Sequence, residues 1–128
     1  MATGFPASTG DVLSAAMFNG LVTFTLNDQS GSTYTVANTD LYQALVRTTN
    51  ASTKTVTIAP DSTLTAAATG STITFLNSGA GLLTFAAGAG VTITSAGASS
   101  SAPTLAQYKS CVAIRTGANA WTIVGAVA

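Results

Sequence analysis

The sequence predicts an all-β fold, an antiparallel β-sandwich or barrel that is jelly-roll-like, preceded by an N-terminal arm with one short helix. From Leu21 onward, apolar residues alternate with Thr at a period of two, as in strands with one buried face. Turn-forming residues separate these segments about every 8 to 12 residues, a spacing typical of sandwiches and barrels. No helical pattern of 10 to 15 residues follows Gly20, so parallel βαβ units are not expected.

Residues 1–20 are predicted to form the arm. Asp11 can cap a helix over residues 12–18, and Asn19-Gly20 provides its stop signal. An extended path is expected before the helix, because Pro6 cannot continue one. Helical spacing places the larger apolar residues on one side, where they can pack on the chain's own domain or on a neighbouring molecule. We expect the arm residues that contact a neighbour to be Phe5, Pro6, Leu13, Met17 and Phe18.

Residues 21–128 are predicted to form the β-domain, with about nine strands. Alternating segments predict half-buried strands at 21–26, 33–36, 55–58, 72–76 and 91–94. Denser apolar runs predict central strands covered on both faces at 41–46, 82–85, 111–114 and 121–124. Turns are expected at Asn27-Asp28, at the Gly79 and Gly88 clusters and at several other sites. Residues 96–103 are the most loop-like internal stretch.

The charged residues offer little catalytic chemistry. The chain has four Asp and four Lys or Arg, with no Glu and no His. General acid–base catalysis and metal binding rely mainly on residue types that are scarce here. The chain is therefore predicted not to be an enzyme and to have no catalytic residues, cofactor or metal. Serine catalysis assisted by Lys54 or Lys109 is a minor alternative, while Asp28, Asp40 and Asp61 are expected to cap turns.

Other candidate sites have structural interpretations. Gly79-Ala80-Gly81 lacks the third glycine of a dinucleotide fingerprint, because Thr84 stands there, and Gly88-Ala89-Gly90 leads into a strand. Both are predicted to be turns. Cys111 is expected to be a small core residue, and Trp121 a core anchor in preference to a ligand platform.

The surface is predicted to be covered by other proteins. Net charge is zero and mean hydropathy is +0.46, which favours an oligomer or an assembled lattice. The basic residues are scattered, so no nucleic-acid footprint is expected. The apolar stretch at 12–22 is too short to span a membrane and lacks the charged front of a signal peptide. A single cysteine excludes an intrachain disulfide and fits synthesis in a reducing cytoplasm.

Thr-x-Thr pairs are the most conspicuous pattern in the chain, among them those that start at residues 23, 33, 55, 63, 72 and 92. Regular ladders of this type order water in ice-binding solenoids. The intervals between the pairs are irregular here, whereas a solenoid is expected to have a fixed repeat. Ice or carbohydrate binding is therefore kept only as an alternative.

Several segments together resemble β-domain proteins of the tailed-bacteriophage virion surface, which include head decoration (cement) proteins and tail-fibre-type domains. Residues 9–19, TGDVLSAAMFN, look like the G-D-V-L-T-A-A-x-x-N opening of many such proteins. Residues 34–47 resemble the first hairpin of a phage β-domain. The segments 70–81 and 84–93 are similar to its central hairpin, and 113–125 to its closing pair of strands. The resemblance covers nearly the whole chain but consists of strand and turn patterns.

The resemblance implies a structural virion protein. A chain of 128 residues is small for a fibre shaft or receptor-binding tip, which favours a capsid decoration protein that stabilises the head shell as a trimer. The implied partners are the major capsid protein and other copies of the chain, without nucleic acid or membrane. The implied location is the capsid surface, after synthesis in the bacterial host cytoplasm. The alternative is a tail-fibre, baseplate or host-recognition module that binds glycans.

Overall fold

The structure, a computed structural model, describes residue 15, residues 24–41 and residues 44–128. One turn of 3-10 helix over Asn38–Asp40 accompanies ten strands in the described ranges. The prediction of an all-β fold is confirmed. In these ranges no helix has the length and apolar character needed to cross a membrane. The strands are β1 Thr25–Gln29, β2 Thr33–Thr35, β3 Ala44–Thr48, β4 Lys54–Ile58, β5 Thr72–Asn77, β6 Leu83–Ala87, β7 Thr92–Ser95, β8 Thr104–Leu105, β9 Lys109–Gly117 and β10 Ala120–Gly125.

The strands form two sheets that the chain visits in alternation from β1 to β9, after which β10 stays in the six-stranded sheet. The six-stranded sheet has the order β1-β3-β5-β9-β10-β7, and the four-stranded sheet has the order β2-β4-β6-β8. Each of the pairs β1–β2, β3–β4 and β5–β6 is one coil, which passes through the six-stranded sheet and then the four-stranded sheet. Successive coils stack in parallel in both sheets. The first six strands thus follow the path of a short β-solenoid.

The predicted antiparallel pairing is wrong for most of the described strand pairs. Five of the eight neighbouring pairs are parallel, and only β5–β9, β9–β10 and β6–β8 are antiparallel. The alternation of Thr with apolar residues reports that one face of a strand is covered, which holds for either direction of pairing. Between two parallel strands of one sheet the chain passes through the other sheet, so the parallel strands need no connecting helix.

The coils differ in length, although their strands stay in register. Thr25 pairs with Ala44, 19 positions later, whereas Leu45 pairs with Thr74, 29 positions later. Residues 59–71 take up the difference, and this loop inserts Leu64 into the core, where it is 1 % exposed. The expectation that a solenoid path needs a fixed repeat is therefore wrong for this chain, because a loop outside the sheets absorbs the extra residues.

Other sequence predictions are corrected in detail. Asn27 and Asp28 lie within β1 and form no turn there. Leu41, the first residue of the predicted strand at 41–46, is the C-cap of the 3-10 turn, and β3 covers Ala44–Thr48. The short strand β8 was not predicted, whereas residues 96–103 form the expected loop between β7 and β8. The predicted arm, including its helix, lies outside the described residues except for residue 15.

One hydrophobic core fills the space between the sheets. Phe75 of the six-stranded sheet meets Phe85 of the four-stranded sheet edge to face, with ring centroids 4.9 Å apart, a favourable arrangement for aromatic rings. Trp121 and Cys111 are 1 % and 2 % exposed in the same core. Their predicted roles as core residues are confirmed.

Candidate functional site

The Asp28–Arg47 ion pair lies on the outer face of the six-stranded sheet. Arg47 Nε donates to Asp28 Oδ1 at 2.5 Å, and its Nη2 donates to Oδ2 at 2.7 Å. The pair forms because β1 and β3 place these residues side by side in register. The Arg47 hydrogen bond lowers the pKa of Asp28 below its ordinary value. The predicted turn cap at Asp28 is thus a cross-strand ion pair.

Asp61 joins the 59–71 loop to the β9–β10 turn. Its carboxylate accepts hydrogen bonds from Arg115 Nη2 at 2.7 Å and from the backbone N–H of Asn119 at 3.0 Å. The Asn119 side chain returns the bond by accepting from the backbone N–H of Asp61 at 2.8 Å. The Arg115 hydrogen bond, followed by that from Asn119, lowers the pKa of Asp61. The predicted capping role of this aspartate is confirmed.

Asp40 is buried in a polar network that ties the first coil together. The carboxylate accepts from the hydroxyl of Tyr34 at 2.5 Å, from Asn27 Nδ2 at 2.8 Å and from the backbone N–H of Ala37 at 2.9 Å. Burial, followed by the bond to Asp40, raises the pKa of Tyr34 to about 12. The bond from Ala37 confirms that Asp40 caps a turn. The bonds that Asp40 accepts from Asn27 and Tyr34 link β1 to β2.

A second buried polar cluster lies where the chain turns from the six-stranded to the four-stranded sheet. Asn77 is fully buried and donates to the carbonyls of Gly81 and Leu105 at 2.9 and 2.8 Å. Lys54 is 3 % exposed, and its Nζ donates to the carbonyl of Asn50 at 2.5 Å. Burial lowers the pKa of Lys54. Lys54, one of the two lysines considered for serine catalysis, is thus bonded to a backbone carbonyl in this corner.

Cys111 faces the core and not a site. Burial raises the pKa of its thiol to about 12, so the reactive thiolate form is suppressed at neutral pH.

The outer face of the six-stranded sheet carries an apolar row. Register pairs Leu26 with Leu45, Leu45 with Thr74, Thr74 with Val112, and Val112 with Val124. At the ends of the row, Leu26 and Val124 are 48 % and 46 % exposed. The apolar row consists of Leu26, Leu45, Val112 and Val124, with Thr74 at its centre. It is flanked on the same face by Leu76 and Ile114 and by the threonines Thr72 and Thr122.

The outer face of the four-stranded sheet is lined by threonines. Register aligns Thr33 with Thr55, Thr55 with Thr84, and Thr84 with Thr104. A second row next to it pairs Thr35 with Thr57. These two threonine rows lie opposite the apolar row, across the core. The outer face of the four-stranded sheet is thus mostly threonine, whereas the outer face of the six-stranded sheet mixes threonines with leucines and valines.

Comparison of the chain with protein-family models, with curated proteins and with solved structures finds no match.

The predicted interaction residues Phe5, Pro6, Leu13, Met17 and Phe18 all lie outside the described residues. Sequence reasoning missed the apolar row, because its members come from five separate segments of the chain. A signal was present, however. The dense runs at 111–114 and 121–124 predicted strands covered on both faces, yet Val112 and Ile114 are only partly buried and Val124 is exposed.

Proposed function

We propose that this protein is a structural component of a tailed-bacteriophage virion, a capsid decoration protein that stabilises the head shell as a trimer. The observation that carries the proposal is the apolar row on the outer face of the six-stranded sheet. The chain resembles phage surface β-domains, and the apolar row is a surface suited to burial against other proteins. The protein acts by binding, without turnover.

The ionisable side chains support a binding role. Asp28 pairs with Arg47, and Asp61 pairs with Arg115. These groups hold strands and turns in place. A protein that acts through repeated weak contacts needs no other role for them. In a symmetric shell, such contacts add up because each is repeated many times.

The proposed partners are the major capsid protein and other copies of this chain, at the capsid surface. We assign the capsid contact to the arm of residues 1–20, with Phe5, Pro6, Leu13, Met17 and Phe18 as its contact residues. The β-domain then forms the outer body of the decoration, and its threonine rows suit a water-facing surface because their hydroxyls can bond to solvent.

The test uses phage heads stripped of decoration. The full chain is expected to bind these heads and to raise the temperature at which they release DNA. A double variant, Leu13→Asp with Met17→Asp, should lose this binding, whereas Leu82→Asp, which changes an exposed leucine of the β-domain, should retain it. Failure of the unmodified chain to bind any stripped head would reject the proposed role.

A tail-fibre, baseplate or host-recognition module that binds glycans is the second candidate, and the threonine rows favour it. Five of their hydroxyls, on Thr33, Thr35, Thr55, Thr57 and Thr84, bond to no other group in the described part of the chain. Such hydroxyls can both donate to and accept from sugar hydroxyls. Binding to host cells or to a glycan array, lost in a Thr55→Val and Thr57→Val variant, would favour this function over decoration.

A further inference from the structure

We infer that the apolar row is the surface through which copies of this chain bind one another. The inference rests on the proposed function and deepens it, because it assigns the contact between copies to a named surface.

The first argument is the contrast between the two outer faces. Thr and Val are both β-branched and suit strands comparably well, so strand preference alone does not explain why the outer face of the six-stranded sheet presents leucines and valines beside its threonines, whereas the outer face of the four-stranded sheet is lined by threonines. Exposure to water explains the threonine rows, because threonine hydroxyls can bond to solvent. The apolar row is better explained by a second layer of protein, because burial of apolar surface is favourable by about 25 cal/mol per Å².

The second argument comes from the sequence of β9 and β10. Their apolar runs are of the kind found in strands with protein on both faces. In the single chain only the inner residues, such as Ala113 and Ile123, are buried, while Val112 on the other face is partly exposed. A partner molecule packed on the outer face would bury the second face of β9 and β10, as their apolar sequences indicate.

A second copy fits the surface in shape and charge. Sheets pack face to face by interdigitating apolar side chains, and this chain itself supplies such a face. The Asp28–Arg47 pair beside the row cancels its own charge, and the whole chain has zero net charge. Two copies therefore meet without repulsion.

The size of the face sets the expected strength of the contact. Six strands about 4.8 Å apart and about five residues long cover about 24 by 16 Å, or about 400 Å² in projection. Stable interfaces bury about 800 Å² of accessible surface on each partner. Protruding side chains add to the projected area, so we expect an association that depends on protein concentration in solution and that is strengthened on the symmetric head.

The experiment measures the mass of the full chain by sedimentation velocity over a wide concentration range. The unmodified protein is expected to form dimers or trimers as its concentration rises. Leu26→Asp with Val124→Asp should weaken association by about 100-fold, because each contact would bury an unpaired carboxylate. Leu82→Asp is the matched control, since Leu82 is 43 % exposed, close to the 48 % of Leu26, but lies outside the row.

A milder variant guards against misfolding. Val124→Thr keeps the side-chain shape and should weaken association by about threefold to tenfold, because a hydroxyl is buried in an apolar contact. Its circular dichroism spectrum and thermal midpoint should match those of the unmodified protein. Association that survives both row variants, or that Leu82→Asp weakens equally, would overturn the inference.

The sedimentation measurement and the capsid-binding assay test separate claims, so either claim can be rejected without the other. A chain that is monomeric at every concentration, including one whose own residues 1–23 cover the row, overturns this inference even if it still binds stripped heads. A chain that associates through the row but binds no heads supports the inference and rejects the decoration role.

Discussion

Thr48 on β3 donates a hydrogen bond from its Oγ1 to Asn77 Oδ1 on β5, at 3.1 Å, in the buried corner between two coils. The Asn77 amide uses both of its hydrogens there, on the carbonyls of Gly81 and Leu105. One side chain thus links two stacked coils to the short strand β8. A buried backbone carbonyl without a partner is costly, so this corner depends on the amide.

Asn77→Leu should lower the free energy of unfolding by about 2 to 4 kcal/mol, because it leaves two buried carbonyls and the Thr48 hydroxyl without their partner. Urea unfolding followed by Trp121 fluorescence measures the change. Asn38→Leu is the control, since Asn38 makes its side-chain bonds to Thr65 and Ala66 at the surface, and its loss should cost less than about 1 kcal/mol. Equal losses in the two variants would contradict the role given to the corner.

Gly81 is required where two turns stack. A methyl group at this position would lie 1.8 Å from the carbonyl oxygen of Ser52, whereas at Gly117 it would meet nothing within 4 Å. Gly81→Ala should therefore lower the free energy of unfolding by about 2 kcal/mol or more. Gly117→Ala should leave it unchanged or raise it by up to about 1 kcal/mol, by restricting the unfolded chain. Thermal unfolding of both variants under one condition tests the contrast.

Tyr108 adopts a left-handed backbone conformation, with φ 62°, while its side chain is 77 % exposed. It occupies the third position of a turn closed by the bond from Lys109 N–H to the Ala106 carbonyl at 3.2 Å, a position at which positive φ favours glycine. Tyr108→Gly is expected to keep the free energy of unfolding or to raise it by up to about 1 kcal/mol. Tyr108→Val should lower it by about 1 to 2 kcal/mol, since β-branched residues resist positive φ. A loss above about 1 kcal/mol in the glycine variant would mean that the ring itself stabilises the fold.

The sequence predicted strand existence better than strand partnership. Segments such as Lys54–Ile58 and Thr72–Asn77 were found closely because alternation is a local property of the chain. Parallel stacking of coils was not found, because it depends on contacts between residues such as Leu45 and Thr74, 29 positions apart. Asp28 was misplaced for the same reason, since its partner Arg47 lies on another strand. The apolar row left only a partial local signature, in the dense apolar runs at 111–114 and 121–124.

Acid sensitivity follows from the Asp61–Arg115 pair. The folded-state pKa of Asp61 lies below its ordinary value of 3.8, chiefly because of the hydrogen bond from Arg115. A depressed pKa means that the unfolded chain takes up the proton first as pH falls. The stabilisation is therefore present above about pH 4, and it is lost as pH falls through the folded-state pKa. With no histidine in the chain, stability should change little between about pH 5 and pH 8.

Urea midpoints measured from pH 2 to pH 7 test this assignment. The unmodified protein should lose stability below about pH 4. Asp61→Asn should be less stable at neutral pH and should show a flatter fall in acid, because its amide cannot ionise. Asp28→Asn should flatten the curve less, since the Asp28 and Arg47 side chains are 47 % and 36 % exposed, against 28 % and 12 % for Asp61 and Arg115, and exposed ion pairs contribute less. An acid transition unchanged by Asp61→Asn would show that other groups govern it.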